Sequence, residues 1–248
     1  MKKFFLFLVL CFLSLSVLSS KREIIRFATE ATYPPFESID SNNKIIGFDI
    51  DIANMICKKL DVICTFTNQS FDSLILSLKM RRFDALISGI DITSGRKKEV
   101  DFSIPYYNNS AAFFVLNAHE LNETSFLKIK KIGVQNGTTH QKYITEEYKN
   151  MHIIPYNNYQ TAILDLQNKR IDAIFADFDV VTEWLHKNNS KSFSMIGKKI
   201  KDPNYFGNGF GIAVRKGNQV LIDKLNQSIK EIKEDGSYDI FYEKWLKK

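Results

Sequence analysis

A chain of 248 residues with 44% hydrophobic, 25% charged and 13% aromatic content has the composition of a folded globular protein, which excludes a wholly disordered or collagen-like one. Its length allows one large domain or two of about 100–120 residues, each able to bury a core of its own. The 34 basic residues exceed the 28 acidic ones but are spread along the sequence, the pattern of a lysine-rich solvated surface rather than of a nucleic-acid binder.

Met1-Lys2-Lys3 is a basic start, and the fifteen residues 4–18 form an uncharged apolar run ending at Ser19-Ser20, before the polar Lys21-Arg22-Glu23. This is the pattern of a secretory signal peptide over 1–20, cleaved near Ser19 or Ser20. A permanent anchor, the rival reading, wants about 17–25 apolar residues. Cys11 follows Leu10 inside the run and reads as part of it, with lipid attachment as the alternative. Cleavage removes Lys2 and Lys3 and leaves 32 basic residues against 28 acidic. It also leaves two cysteines, Cys57 and Cys64, an even number in an exported chain, and a disulfide between them is expected. The segment 58–63 contains a break from helical to strand pattern, which can bring the two Cα atoms within the roughly 4.4–6.8 Å a bridge needs. Two buried free thiols are the alternative. Neither cysteine has a His or third Cys at ligand spacing, so no metal is expected.

Periodicity then gives an alternating α/β chain. A short apolar strand is expected over 24–28, followed by a turn at Tyr33-Pro34-Pro35-Phe36, whose prolines exclude a helix interior. After Gly47 a helix carries Ile52, Met55, Ile56 and Leu60 on one face. A second helix, over 71–79, turns Leu74, Ile75 and Leu78 inward, and a strand follows over 85–90. The connection Arg81-Arg82-Phe83-Asp84 recurs as Lys169-Arg170-Ile171-Asp172 after a helix over 160–167, so two similar helix–turn–strand units lie about ninety residues apart. That recurrence points to two α/β lobes. Ile132-Gly133-Val134 reads as a strand, and Gln135-Asn136-Gly137-Thr138-Thr139 as a turn into a helix whose free N–H groups favour an anion. The Gly-Lys-Ser/Thr ending of a nucleotide loop is missing. Near the C-terminus a helix over 220–234 stops at Asp235-Gly236, and a short helix bears Tyr238, Phe241, Tyr242 and Trp245 as core residues.

The strongest polar constellation is the stretch 85–96, a strand ending in Ser88-Gly89-Ile90-Asp91-Ile92-Thr93-Ser94-Gly95-Arg96. Strand ends are where α/β proteins bind ligands, and an arginine can hold a carboxylate through two parallel hydrogen bonds. Taken alone, Arg96 reads as a surface residue.

The runs Thr32-Tyr33-Pro34-Pro35-Phe36-Glu37, Gly47-Phe48-Asp49-Ile50-Asp51, Phe71-Asp72-Ser73-Leu74, Ser88-Gly89-Ile90-Asp91-Ile92-Thr93 and Asp235-Gly236-Ser237-Tyr238 together resemble the polar amino-acid-binding proteins of bacterial ABC importers, solute-binding protein family 3. The resemblance covers the whole mature chain, including the Cys57/Cys64 spacing, and is nearest to arginine-binding and lysine/arginine/ornithine-binding members. It implies a two-lobed periplasmic-binding-protein fold of type II, with a cleft between lobes joined by two crossover strands. Lobe 1 would comprise 21–107 plus 211–248 and lobe 2 residues 112–201, with crossings at 108–111 and 202–210. The glycines Gly207, Gly209 and Gly211 suit a segment that bends.

The resemblance also implies a ligand set. Arg96 matches the clamp on the ligand α-carboxylate, Ser88, Gly89 and Thr139 match hydroxyl or backbone donors, and Asp177 matches the acid on the α-ammonium. Tyr33 and Phe71 match an aromatic pair that sandwiches a flat cation. Glu30 matches an acid facing the distal cation, and Asp91 stands where arginine binders have Asp and lysine/arginine/ornithine binders have Ser. His140 replaces a frequent Gln and either touches the ligand or simply begins a helix. The implied function is capture of L-arginine or a related basic amino acid in the periplasm, as a monomer without cofactor, for a membrane permease and ATPase. A periplasmic sensor and a dehydratase-like enzyme on the same fold are the alternatives. No clear general acid stands apart from the binding set, so a binder rather than an enzyme is expected.

Overall fold

The computed structural model describes residues 22–116, 129–187 and 193–247; the expected signal segment 1–20 lies outside them. The first strand, β1 (Ile24–Thr29), is followed by short strands β2 (Thr32–Tyr33), β3 (Glu37–Ile39) and β4 (Ile45–Ile46), which form a three-stranded sheet of their own. Helix α1 (Phe48–Lys59) buries Phe48, Ile52 and Ile56 and leads to β5 (Ile63–Asn68). Asp49 and Asp51 lie in its first turn and Lys58 and Lys59 in its last, which complements the helix dipole. A 3₁₀ turn (Phe71–Ser73) precedes α2 (Leu74–Lys79), and β6 (Ala85–Leu86) follows. Two consecutive 3₁₀ and α segments thus replace the single helix expected over 71–79, and Ile75 packs against the core with Leu74 and Leu78 but is only half-buried.

After β7 (Val100–Phe102) the chain builds a second sheet from β8 (Ala111–Leu116), β9 (Lys131–Gln135), β10 (His152–Tyr156), β11 (Ala173–Asp177) and β12 (Phe193–Ile200). Its helices are α3 (Thr139–Glu147), α4 (Tyr159–Gln167) and α5 (Phe178–Lys187). A short α6 (Pro203–Phe206) leads back, and β13 (Ala213–Arg215) enters the first sheet. The chain ends with α7 (Gln219–Glu234) and α8 (Ser237–Trp245). The sheet orders are β5-β1-β6-β13-β7 and β10-β9-β11-β8-β12. Because β13 lies between β6 and β7, antiparallel to both, the chain passes from the first sheet to the second and back again.

The recurrent turn has one physical form in both places. Arg81 and Lys169 take left-handed φ of 61° and 56° just past their helices. Arg82 N–H returns to Ser77 O and Arg81 N–H to Leu78 O, while Arg170 N–H returns to Asp165 O and Lys169 N–H to Leu166 O. These are paired Schellman closures, each followed by a buried apolar residue, Phe83 or Ile171. Asp84 and Asp172 then start their strands, with backbone N–H groups on Arg26 O and Lys131 O.

The two passages between sheets lie side by side, bridged between Tyr107 and Phe210, and Phe210 also bridges to Asp91. A Cβ on Gly207 would stand 2.0 Å from Ile92 O, and one on Gly209 2.2 Å from Tyr107 O. Both glycines have positive φ, 61° and 95°, so the return passage packs against Ile92 and against the first passage at Tyr107 only with glycine there.

Two further expectations differ from the structure. The strand expected over 85–90 pairs only at Ala85–Leu86, because beyond it local partners take the backbone away from the ladder. There Ser88 accepts Glu30 N–H, and Asp49 accepts Gly89 N–H. Helix α8 buries none of its residues fully: Tyr238, Phe241 and Trp245 are half-buried against the core, and Tyr242 is exposed. Trp245 instead donates its indole N–H to Asp51 at 2.7 Å, which ties the helix to α1. Cys57 and Cys64 form a disulfide with Cα atoms 5.9 Å apart. They join the end of α1 to the start of β5, away from the strand ends that carry the site.

Candidate functional site between the sheets

Parallel strands β1, β5 and β6 run the same way, so the residues just past their C-terminal ends meet at one edge of the first sheet. That edge brings together Glu30 after β1, Phe71 after β5 and Ser88, Gly89 and Asp91 after β6. In the second sheet β9, β10 and β11 are likewise parallel, and the ends of β9 and β11 supply Gln135, Thr138–His140 and Asp177. This is the edge at which open α/β sheets place ligands.

A narrow cavity, with only about 10 Å³ of enclosed space, lies between the two edges, lined by Tyr33, Phe71, Gly89 and Asp91 from one side and Gln135, Thr138, Thr139, His140 and Asp177 from the other. Thr138 caps α3: its hydroxyl accepts Gln141 N–H at 3.1 Å and donates to Gln135 O at 2.7 Å. Gln141 reaches back to Gly137 N–H, so the cap is closed in both directions. The first turn of α3 therefore faces the cavity with N–H groups that have no helical acceptor, an arrangement that suits a carboxylate.

Polar contacts cross between the edges. Tyr33 Oη donates to Asp177 Oδ2 at 2.6 Å, and Thr139 Oγ1 donates to Asp91 Oδ2 at 2.5 Å. Nearer the rim, Asn136 donates to Asp72 at 3.0 Å. The amide nitrogen of Asn109, in the first passage between sheets, donates to Asp91 Oδ1 at 3.0 Å and to Asp177 Oδ1 at 2.8 Å. Asp91 and Asp177 are both buried. Burial, followed by the neighbouring Asp177, pushes the Asp91 carboxyl up to about 6, against the opposing pull of Arg96, His140 and the Thr139 hydroxyl.

Glu30 is buried and stands behind the cavity lining, with its carboxylate accepting the Thr32 hydroxyl. Desolvation raises it to about 7, opposed by hydrogen bonds from Thr32 and Gln135. Arg96 lies in an adjoining outer groove with Thr93, Thr138 and Thr139. Its guanidinium stands 5.4 Å over the Phe71 ring and donates to Asp91 O at 3.2 Å. Burial lowers its pKa from the ordinary arginine value while Asp91 opposes that shift. One face of Phe71 is thus occupied by a cation of the protein itself.

Ser88 and Gly89 point their donors away from the cavity. The Ser88 hydroxyl donates to Glu37 at 2.9 Å, and Gly89 N–H goes to Asp49 at 2.8 Å. Glu37 and Asp49 are fully buried behind the loop, and burial raises both carboxyls, Asp49 to about 6. His140 is buried among Tyr159, Phe175 and Phe206, with Nε2 3.4 Å from Asp177 Oδ1. It therefore both begins the helix and faces the cavity.

Sequence reasoning missed Gln135, Thr138, Tyr159 and Asn109. The first two lie in the strand–turn–helix segment already singled out as an anion site, so proximity to that turn was the available signal. Tyr159 sits in α4 with its hydroxyl on Phe175 O and its ring 5.8 Å from Tyr33. Among the described residues no group of three or more His, Cys, Asp or Glu is arranged to hold a metal ion, and no helix is long and apolar enough to cross a membrane.

Two α/β sheets, a doubly crossing chain and a polar cavity between facing strand ends define a type II periplasmic-binding-protein fold, a scaffold that encloses a small ligand between lobes. The chain belongs to the bacterial extracellular solute-binding proteins, family 3, whose model matches residues 25–248. It is similar to the putative ABC transporter arginine-binding protein 2 of Escherichia coli (strain K12), with 52% identity over 248 residues and all of both chains covered. It is also similar to the arginine-binding periplasmic protein of Mannheimia haemolytica, with 52% identity over 88% of this chain and 89% of that one. Among solved structures, a Salmonella typhimurium periplasmic binding protein described for its high arginine specificity matches with a TM-score of 0.84 and 41% identity, covering 90% of this chain and 99% of that one.

Proposed function

We propose that the protein captures L-arginine in the periplasm and hands it to the membrane permease of an ABC importer powered by a cytoplasmic ATPase. One observation carries the reading: Asp91 and Asp177 converge on the cavity with Glu30 behind them, while Arg96 is the one arginine among the described residues that lines the adjoining groove. An excess of buried acid favours a ligand with two cationic ends and one carboxylate over a neutral amino acid, which would leave an acid desolvated without a counter-charge.

In this reading Arg96 and the first turn of α3 take the α-carboxylate, and Asp177 takes the α-ammonium. Asp91 and Glu30 face the guanidinium, with Tyr33 and Phe71 flanking it. Thr139 and His140 complete the lining, and Ser88 and Gly89 support the loop rather than donate to the ligand. Residues 21–107 with 211–248 would form one lobe and 112–201 the other, moving about the passages at 108–111 and 202–210 as a monomer. A ligand touching both lobes stabilises the closed form that a permease can recognise. The likeness to proteins named as arginine binders supports the choice of ligand.

Isothermal titration of residues 21–248, unfolded and refolded to strip bound ligand, tests this against L-arginine, L-lysine, L-ornithine, L-histidine and L-glutamine. One-to-one binding with arginine well ahead is expected. Refolded protein that binds none of them overturns the proposal.

A further inference from the structure

We propose that Asn109 is a positioning residue that sets the spacing of Asp91 and Asp177, and through it the preference for a dicationic ligand. The inference rests on the function proposed above. Asn109 lies between β7 and β8, in the first passage from one sheet to the other, and is buried. Its single amide nitrogen donates to one carboxylate from each sheet, Asp91 Oδ1 at 3.0 Å and Asp177 Oδ1 at 2.8 Å. A planar –NH₂ group has two hydrogens at a fixed angle, so using both on two acids fixes where the acids stand relative to each other. The remaining oxygen of each acid is held from the opposite side of the cavity, Asp91 by Thr139 and Asp177 by Tyr33.

Chemistry explains why an amide fits this place. A lysine here would supply the cation that the ligand must bring, and an aspartate would add a third negative charge. An alanine would leave two buried acids facing each other with the Asn109 donor gone from Oδ1 of each. Asn109 instead satisfies one lone pair on each acid while adding no charge, so the demand for an external cation is kept. Its place in the passage also ties the orientation of the acids to the relative position of the two sheets.

Asn109→Ala therefore removes a hydrogen bond to the charged form of Asp91, which shifts that acid toward protonation. The groups facing Asp91 are Asp177, Arg96, His140, Thr139, Tyr33 and Tyr159, and Tyr33, Tyr107, Tyr159, His140 and Asp179 face Asp177; none of them changes in the variant. Arginine affinity at pH 7.5 is expected to fall about tenfold or more, as removal of a hydrogen bond to a buried charge implies. The pH at which binding is half lost should rise by about one unit. Binding of L-glutamine should weaken less, so the arginine-to-glutamine ratio falls. Asn109→Ser, with one donor hydrogen, should lie between the variant and the wild type.

Titration calorimetry between pH 5 and 8 on wild type, Asn109→Ala and Asn109→Ser, with melting curves as a fold check, decides the matter. Arginine affinity and pH midpoint within twofold of wild type in both variants overturn the inference. So does an equal loss for arginine and glutamine with the pH midpoint unmoved, which is the signature of a merely structural residue. If the wild type itself fails to bind arginine, the function proposed above falls together with this inference; failure of the variants' prediction alone leaves that function standing.

Discussion

The Tyr33 hydroxyl donates to Asp177 Oδ2 at 2.6 Å, so a residue beside the first sheet is latched to the end of a strand in the second. The Tyr33 ring also packs 5.8 Å from the Tyr159 ring, so the same side chain joins the two sides by apolar contact and by a charged hydrogen bond. The two contributions separate by mutation. Tyr33→Phe keeps the ring and removes the donor from a buried carboxylate, at a cost of about 1–3 kcal/mol to the arrangement this bond latches. Small-angle scattering of the unliganded variant should show a larger radius of gyration than wild type. An unchanged radius would mean that the aromatic contact alone holds the sides together.

Arg96 stands over Phe71 and against Asp91 O, so it is already oriented before any ligand carboxylate arrives. Arg96→Ala should abolish binding of every amino acid tested, weakening it about a hundredfold or more by removal of a bidentate charged interaction. Arg96→Lys should restore little, because an ammonium lacks the planar fork and the stacking face. Titration against arginine and glutamine in parallel reads this; a loss confined to arginine would move Arg96 from the α-carboxylate to the side-chain end.

Asp91 carries the argument for arginine over other basic ligands. Replacing it by serine keeps a hydroxyl near Thr139 and Asn109 but removes the carboxylate that would meet a planar guanidinium. Asp91→Ser should lower arginine affinity by at least about tenfold, because a charge-assisted hydrogen bond to the ligand is removed, and should narrow the gap to lysine and ornithine. Competition measurements among the three ligands check it, and an unaltered ranking would take Asp91 out of specificity.

Much of this architecture was legible because local chemistry repeats. The Arg81–Asp84 and Lys169–Asp172 turns announce themselves by matching residues, and both close in the same way. The aromatic spacing of α8 misled, because helical period alone does not say how deep a face lies; Tyr242 shares the stripe yet is exposed. Ser88 and Gly89 were legible as the small, polar end of a strand, but neither the early end of its pairing nor the direction of their donors was. That direction depends on Glu37 and Asp49, some forty to fifty residues earlier in the chain. Asn109 was invisible for the same reason: its partners come from two sheets, and no local pattern marks a residue whose bonds are all long-range.

The buried acids also make the protein respond to pH in two opposite ways. Burial raises Glu30 to about 7 and Asp91 and Asp49 to about 6, above their unfolded values of 4.5, 3.8 and 3.8. Between pH of about 4 and 7 the folded protein therefore holds protons that the unfolded chain has released. Stability of the unliganded protein falls as pH rises through that window. Asp84, Asp101 and Asp235 are shifted the other way by Arg26, Lys216 and Lys59, so their contribution is present above their unfolded value and is lost as pH falls below about 4. The unliganded melting temperature should accordingly peak near pH 4–5. Arginine binding has the reverse dependence, since its cationic groups favour the ionised acids and protonation below about pH 6 competes with them. Calorimetric melting at pH 5 and pH 8, with and without saturating arginine, should give a ligand-induced rise in melting temperature that is larger at pH 8. Equal rises at the two pH values would mean that Asp91 and Glu30 do not face the ligand's cation.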